Sequence, residues 1–202
     1  MQLSIDTPVG TALAELERPK GRVRGLLALG HGAGGGIEAA DLRAARSAAL
    51  ATGVAVARLV QPYRVAGRRS PAPAATLDRA WIAAVAAVQQ QRGLRSVPLI
   101  TGGRSSGARV ACRTATQVDA VGVVALAFPV HPPGRPEKTR LPELDGAGVP
   151  VLVVQGDRDA FGMPPAAPGR TIAVIAGADH SMKRDAAGIG AAVAAFLESL
   201  LG

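Results

Sequence analysis

Apolar residues recur along this chain in two rhythms that alternate almost without interruption. Short, largely apolar runs at 54–60, 121–128 and 149–154 have the length and β-branched content of strands buried on both faces. Between them lie longer stretches with apolar residues at helical spacing: Leu77, Trp81, Val85 and Val88 in one, and Ile189, Val193, Phe196, Leu197 and Leu200 in another. The order reads as strand 24–29, helix 39–52 closed by Gly53, strand 54–60, a helix capped by Thr76 and ended by Gly93, and strand 97–101. Helix 105–118, strands 121–128, 149–154 and 171–175, and helix 183–201 complete it. Such alternation predicts an α/β fold, a mostly parallel twisted sheet with helices on both faces. Segments 2–5 and 11–16, separated by Thr7-Pro8-Val9-Gly10, predict an N-terminal antiparallel hairpin. Stretches 61–73 and 129–148 read as loops, and no insertion is long enough to form a lid domain.

Composition narrows the class. With 202 residues, 48% of them hydrophobic, the chain has the size of one domain spanning 1–202. Aromatic residues make up only 2%, so the core must be built from Val, Leu, Ile and Ala, which lets helices lie close to a sheet. No run approaches the roughly 18 apolar residues of a membrane span, and the first residues lack a basic segment followed by an apolar one. A soluble, cytoplasmic protein with no membrane partner is expected. Cys112 is the sole cysteine, which excludes an internal disulfide, and its apolar helical neighbours make it inert core.

A net charge of +8 raises the question of nucleic acid. The arginines are scattered at one or two per helix, however, and aromatics are too few to stack bases, so no nucleic-acid partner is expected. Three histidines without paired-ligand spacing and one cysteine argue against a metal or other cofactor.

Ligands of parallel α/β sheets bind beyond the carboxyl ends of the strands, so the informative polar residues are those that directly follow strands. Ser105 does so, in Gly103-Arg104-Ser105-Ser106-Gly107 between a strand and a helix, where flanking glycines permit the tight turn that exposes a nucleophilic serine. A serine hydroxyl needs an imidazole to take its proton, and that imidazole needs a carboxylate to fix its tautomer. Of His31, His131 and His180, only His180 follows a suitable acid in the order serine, acid, histidine. The acid is Asp159 or Asp157; the latter directly follows Gly156 and has the alternative of tying off a turn.

Two backbone amides should hold the oxyanion, those of Ser106 and of Ala33 in the loop Gly30-His31-Gly32-Ala33-Gly34-Gly35-Gly36. His31 fits a loop-structuring role. Together with Arg64, Arg104 and His131 it is also a candidate substrate contact, and Arg64 and His131 would suit an anionic substrate. The expected activity is serine hydrolysis of a small carboxylic ester or related acyl compound. The alternative is a catalytically inactive interaction module, motivated by the distinctive loop Phe128-Pro129-Val130-His131-Pro132-Pro133-Gly134.

Several further segments, Gln61-Pro62-Tyr63-Arg64, Gln155-Gly156-Asp157-Arg158-Asp159-Ala160-Phe161-Gly162 and Asp179-His180-Ser181-Met182-Lys183, join these motifs in a wider pattern. Taken together they resemble the α/β-hydrolase superfamily, and within it the small lidless group called testis-expressed-protein-thirty-like, akin to dienelactone hydrolases. The resemblance covers most of the chain after Arg24 and implies the α/β-hydrolase fold with Ser105 as nucleophile, Asp159 as acid and His180 as base. Where that group usually shows Lys-Ser-Met-Gly-Gly-Arg, this chain has Arg104-Ser105-Ser106-Gly107-Ala108-Arg109. Dienelactone hydrolases proper use cysteine as nucleophile, which speaks against that particular activity here. The group also includes a chromatin-complex subunit with a scaffolding role, which is what the non-catalytic alternative would look like.

Overall fold

In a computed structural model covering residues 1–202, eight strands form one sheet. In chain order they are β1 (Gln2–Thr7), β2 (Gly10–Glu17), β3 (Gly25–Gly30), β4 (Val54–Val60), β5 (Leu99–Arg104), β6 (Gly122–Leu126), β7 (Val151–Gly156) and β8 (Arg170–Ile175). Their spatial order is β1-β2-β4-β3-β5-β6-β7-β8. The first two pair antiparallel, β2 pairs antiparallel with β4, and every later pairing is parallel. Sequence pattern explains position in the sheet. Strands β3, β6 and β7 are buried along their whole length and fill the middle, because their apolar side chains need cover on both faces. On β2 only Ala12, Ala14 and Leu16 turn inward, the half-buried alternation of an antiparallel margin.

Six helices supply the cover: α1 (Ala40–Ala51), α2 (Pro62–Val65), α3 (Ala74–Gln89), α4 (Ser106–Thr114), α5 (Leu141–Asp145) and α6 (Ala186–Leu201). Leu42, Ala45 and Ala49 of α1 join Ile189, Val193, Phe196 and Leu197 of α6 over one face. Leu77, Trp81, Val85 and Val88 of α3 join Val110 and Ala111 of α4 over the other. Cys112 is buried in α4, and burial pushes its thiol up to about 12, which suits the inert role expected of it. No helix is long and apolar enough to cross a membrane.

The structure moves several predicted boundaries. Thr76 does not cap α3: the helix begins at Ala74 after Pro73, which has no side-chain donor or acceptor, and Thr76 lies inside its first turn. Helix α6 starts at Ala186 rather than at residue 183, because Asp185 is its cap and accepts from the Gly188 amide at 2.8 Å. Helix 105–118 ends at Thr114 and gives way to a 3-10 turn, Thr116–Val118. Both expected loops contain a short helix, α2 and α5, each with proline in its first turn and too short to show a periodic face.

Arginines act as ties between elements. Arg109 and Arg113 of α4 clamp Glu143 of α5 at 2.5–2.9 Å, and Arg113 also holds Asp78 of α3 at 2.6 and 2.9 Å. Burial would raise the Glu143 carboxyl, but the two guanidinium groups hold it below its ordinary 4.5. A carboxyl lowered by folding stabilises fully above its unfolded value and loses that contribution as pH falls through the folded one. Urea unfolding should therefore find Glu143→Gln less stable than wild type at pH 7, with the gap closing as pH drops below 4.5. A gap that stays constant into acid would show that the charge is not what stabilises.

Candidate active site

Strand β5 ends at Arg104 and α4 begins at Ser106, so Ser105 alone makes the turn, with φ 52° and ψ −109°. A side chain rarely adopts that conformation, and the surroundings enforce it. The Ser105 amide donates to Leu126 at 2.9 Å, and α4 leaves across the end of β3 at backbone contact. A Cβ on Gly103 would stand 2.5 Å from the Gly30 carbonyl oxygen, and one on Gly107 would run into that carbonyl and come within 2.9 Å of the His31 oxygen. Both flanking glycines are thus required by packing.

Three loops from the same sheet edge meet here. His180, after β8, places Nε2 3.0 Å from Ser105 Oγ and Nδ1 2.9 Å from Asp159 Oδ2. The Asp159 carboxylate, after β7, is fully buried and satisfied elsewhere too: Oδ1 accepts from the Phe161 amide and Oδ2 from Gln155 Nε2, each at 2.9 Å. An Nδ1–H imidazole donating to Asp159 leaves Nε2 to accept from the serine hydroxyl. The Phe161 ring stacks on His180 with centroids 4.0 Å apart and planes 30° apart. Of the two acids left open by the sequence, Asp159 meets the histidine, whereas Asp157 accepts from the Gly177 amide at 2.7 Å across an exposed turn.

The glycine-rich loop after β3 runs beside the elbow, where a Cβ on Gly32 would stand 3.7 Å from the Ser105 Cβ. The Gly32 carbonyl accepts from His31 Nδ1 at 2.8 Å and from the Gly35 amide at 3.2 Å. A planar trans peptide points its N–H opposite its C=O, so this clamp turns the Ala33 amide away from His31. That amide donates to no carbonyl of the chain, and the Ser106 amide, first in α4, has no carbonyl one turn back to bond. Tyr63 Oη donates to the Ala33 carbonyl at 2.8 Å and fixes the next peptide.

The four candidate substrate contacts fare differently. His31 is corrected: it is buried, Nδ1 donates to Gly32, Nε2 accepts from the Gln61 amide at 3.1 Å, and no polar ring atom remains for a substrate. Burial lowers its pKa, which agrees with a neutral ring holding a loop. Arg104 turns to Asp41, with Nε 3.0 Å from Oδ2, and its Nη2 donates to the His180 carbonyl. Arg64, in α2, donates to the Arg68 carbonyl at 3.3 Å. His131 Nδ1 donates to the Pro132 carbonyl at 2.9 Å, and the His131 amide is bonded to Phe161, which joins its loop to that of Asp159.

Sequence reasoning missed Gln155, Phe161, Tyr63 and Asp41. Gln155 Nε2 lies within 2.9–3.2 Å of Asp159, Gly162 and Phe128 oxygens. A glutamine ending the apolar run Val151-Leu152-Val153-Val154 was a usable signal. Asp41, in an alanine-rich helix, gave none.

The model of an alpha/beta hydrolase domain family matches residues 23–194, and the chain belongs to that family. No curated protein matches it by sequence. Among solved structures it is similar to a lidless α/β serine hydrolase from Xanthomonas campestris, with 20% identity, TM-score 0.80, and 100% of this chain and 94% of that one covered. An alpha-beta serine hydrolase homologue from Coxiella burnetii matches with 18% identity, TM-score 0.79 and 98% and 97% coverage. Est1E from Butyrivibrio proteoclasticus, with ferulic acid bound, matches with 18% identity, TM-score 0.79 and 98% coverage of both.

The strained turn carries a stability consequence independent of any reaction. Ser105→Ala keeps the Cβ in its unfavourable conformation, whereas Ser105→Gly releases it, at the cost of a more flexible unfolded chain. Chemical denaturation should find Ser105→Gly more stable than Ser105→Ala by about 1 kcal/mol. Equal stabilities would mean that the strain at the turn is no larger than the entropic cost of the glycine.

Proposed function

We propose that this protein is a serine hydrolase that cleaves a carboxylic ester or related acyl substrate through an acyl-enzyme intermediate. The observation that carries the reading is the unbroken line of hydrogen bonds from Asp159 through His180 to Ser105, ending on a side chain that the fold holds at positive φ in the turn after β5, at the sheet's carboxyl edge. In this reading His180 Nε2 takes the hydroxyl proton as Ser105 Oγ bonds to the substrate carbonyl carbon, and buried Asp159 stabilises the imidazolium. The amides of Ala33 and Ser106 receive the oxyanion. Collapse of the tetrahedral intermediate breaks the bond to the alcohol, which leaves with the proton from Nε2. Water then repeats the sequence on the acyl-enzyme and releases the acid. The family membership and the serine hydrolases among the structural relatives support hydrolysis; the ester class rests on the site itself.

Labelling with a fluorophosphonate, peptide mapping and hydrolysis of p-nitrophenyl acetate test the reading. Wild type should be modified at Ser105; Ser105→Ala should not be, and His180→Ala should label at least about 10³-fold more slowly with its fold intact. A folded wild type that resists the probe would return the protein to the interaction-module alternative.

A further inference from the structure

The polar ends of the His180 ring are held by Asp159 and Ser105, but its backbone sits in an irregular segment between β8 and α6, where Met182 and Asp185 both adopt positive φ. The main chain of His180 makes a single hydrogen bond: its carbonyl accepts from Arg104 Nη2. Arg104 is the residue immediately before Ser105. One side chain, rooted at the elbow, therefore reaches across to fix the loop that carries the histidine. Its guanidinium fills space that Gly32 leaves open, since a Cβ there would stand 3.0 Å from Nη1. It consequently lies against the elbow, the histidine loop and the Gly32–Ala33 loop together.

Asp41 explains why the guanidinium stays in place. Its side chain is fully buried at the start of α1, Oδ2 lies 3.0 Å from Arg104 Nε, and Oδ1 accepts from the Leu42 amide at 2.9 Å. A buried carboxylate is tolerated when a charge partner compensates it, and here the partner is Arg104. Burial raises the Asp41 pKa, and the Arg104 charge opposes that rise. The fork shape of arginine lets one edge face the carboxylate while another nitrogen meets the carbonyl; a lysine ammonium on a single stem has no such second arm.

Resting on the hydrolase reading, we infer that Arg104 is a positioning residue for His180, holding its backbone so that the imidazole stands over Ser105, and that Asp41 anchors Arg104. The expectation of a substrate contact at Arg104 is replaced by this role.

The test compares wild type with Arg104→Met, Arg104→Lys, Asp41→Asn and the double variant Asp41→Asn/Arg104→Met. Readouts are the rate of fluorophosphonate labelling, kcat and KM on p-nitrophenyl acetate, and the downfield proton signal of the Nδ1–H bonded to Asp159. Misplacing a catalytic group by about 1 Å costs on the order of 100-fold. Labelling and kcat should thus fall about 10- to 100-fold in Arg104→Met with KM unchanged, and the Nδ1–H signal should broaden. Asp41→Asn should fall in the same direction, and adding it to Arg104→Met should cost little more, because the two act as one unit. Should Arg104→Met fail to fold, Arg104→Lys carries the comparison and is expected to be slow for want of the second arm. Labelling of folded Arg104 variants at the wild-type rate, with the Nδ1–H signal intact, would overturn the positioning role while leaving the hydrolase reading standing. An unlabelled wild type would instead remove the hydrolase reading, and the positioning role with it.

Discussion

The site depends on one packing constraint, the backbone contact between the end of β3 and the elbow that follows β5. Gly30 pairs with Gly103 in the sheet, and Gly107 opens a helix that crosses directly over the Gly30 carbonyl. Gly30 is constrained from another side as well, since a Cβ there would stand 3.1 Å from the Trp81 ring. Three glycines thus remove the side chains that would otherwise lift α4 off the sheet. Because α4 lies so low, Ser105 has no relaxed way to turn from strand to helix. The same closeness brings the glycine-rich loop after β3 beside the serine. A strained serine and its neighbouring amides are therefore two results of one contact.

The other half of the site is built from polar groups that the sheet buries at its carboxyl edge. Asp159 costs free energy to bury, and the fold offsets that cost with three donors: His180, Gln155 and the Phe161 amide. Gln155 and Asp159 leave the end of β7 together, so the strand that supplies the acid also supplies one of its partners. Phe161 follows two residues later and lays its ring on the imidazole. In a chain with three phenylalanines, one is spent on the histidine rather than on the core. The buried carboxylate, two of its three donors and the ring that covers the histidine all come from residues 155–161.

This locality explains which parts of the molecule were legible in sequence. Strands β3 to β7 announced themselves through short, largely apolar runs, and Ser105, Asp159 and His180 through their place after such runs. Turn geometry was not legible. Asp157 and Asp159 differ by two positions in one loop, and what separates them is that the first bonds the Gly177 amide while the second faces inward. His31 was a candidate substrate contact by its place in the loop, yet its ring is consumed by Gly32 and Gln61, because strand order puts β4 beside β3. Asp41 was invisible for a similar reason: its partner is far along the chain, and no periodicity marks a carboxylate that a remote arginine will neutralise.

The basic composition also changes meaning once the contacts are known. Arg58, buried on β4, faces Glu15 across the β2–β4 register and is also paired with Glu17 and Glu38. Arg113 joins α3, α4 and α5, Arg170 is paired with Asp145, and Arg104 joins α1 to the histidine loop. Exposed pairs of this kind contribute little individually, whereas a planar donor fork held between buried partners fixes geometry. With aromatic residues nearly absent, helices rest on the sheet mainly through alanine and valine, side chains that make close but rather featureless contact. Arginine forks supply directional contacts that such a core lacks. Read this way, part of the excess of arginine is internal fastening, and the clearest instance stands one residue before the serine that the fold holds in strain.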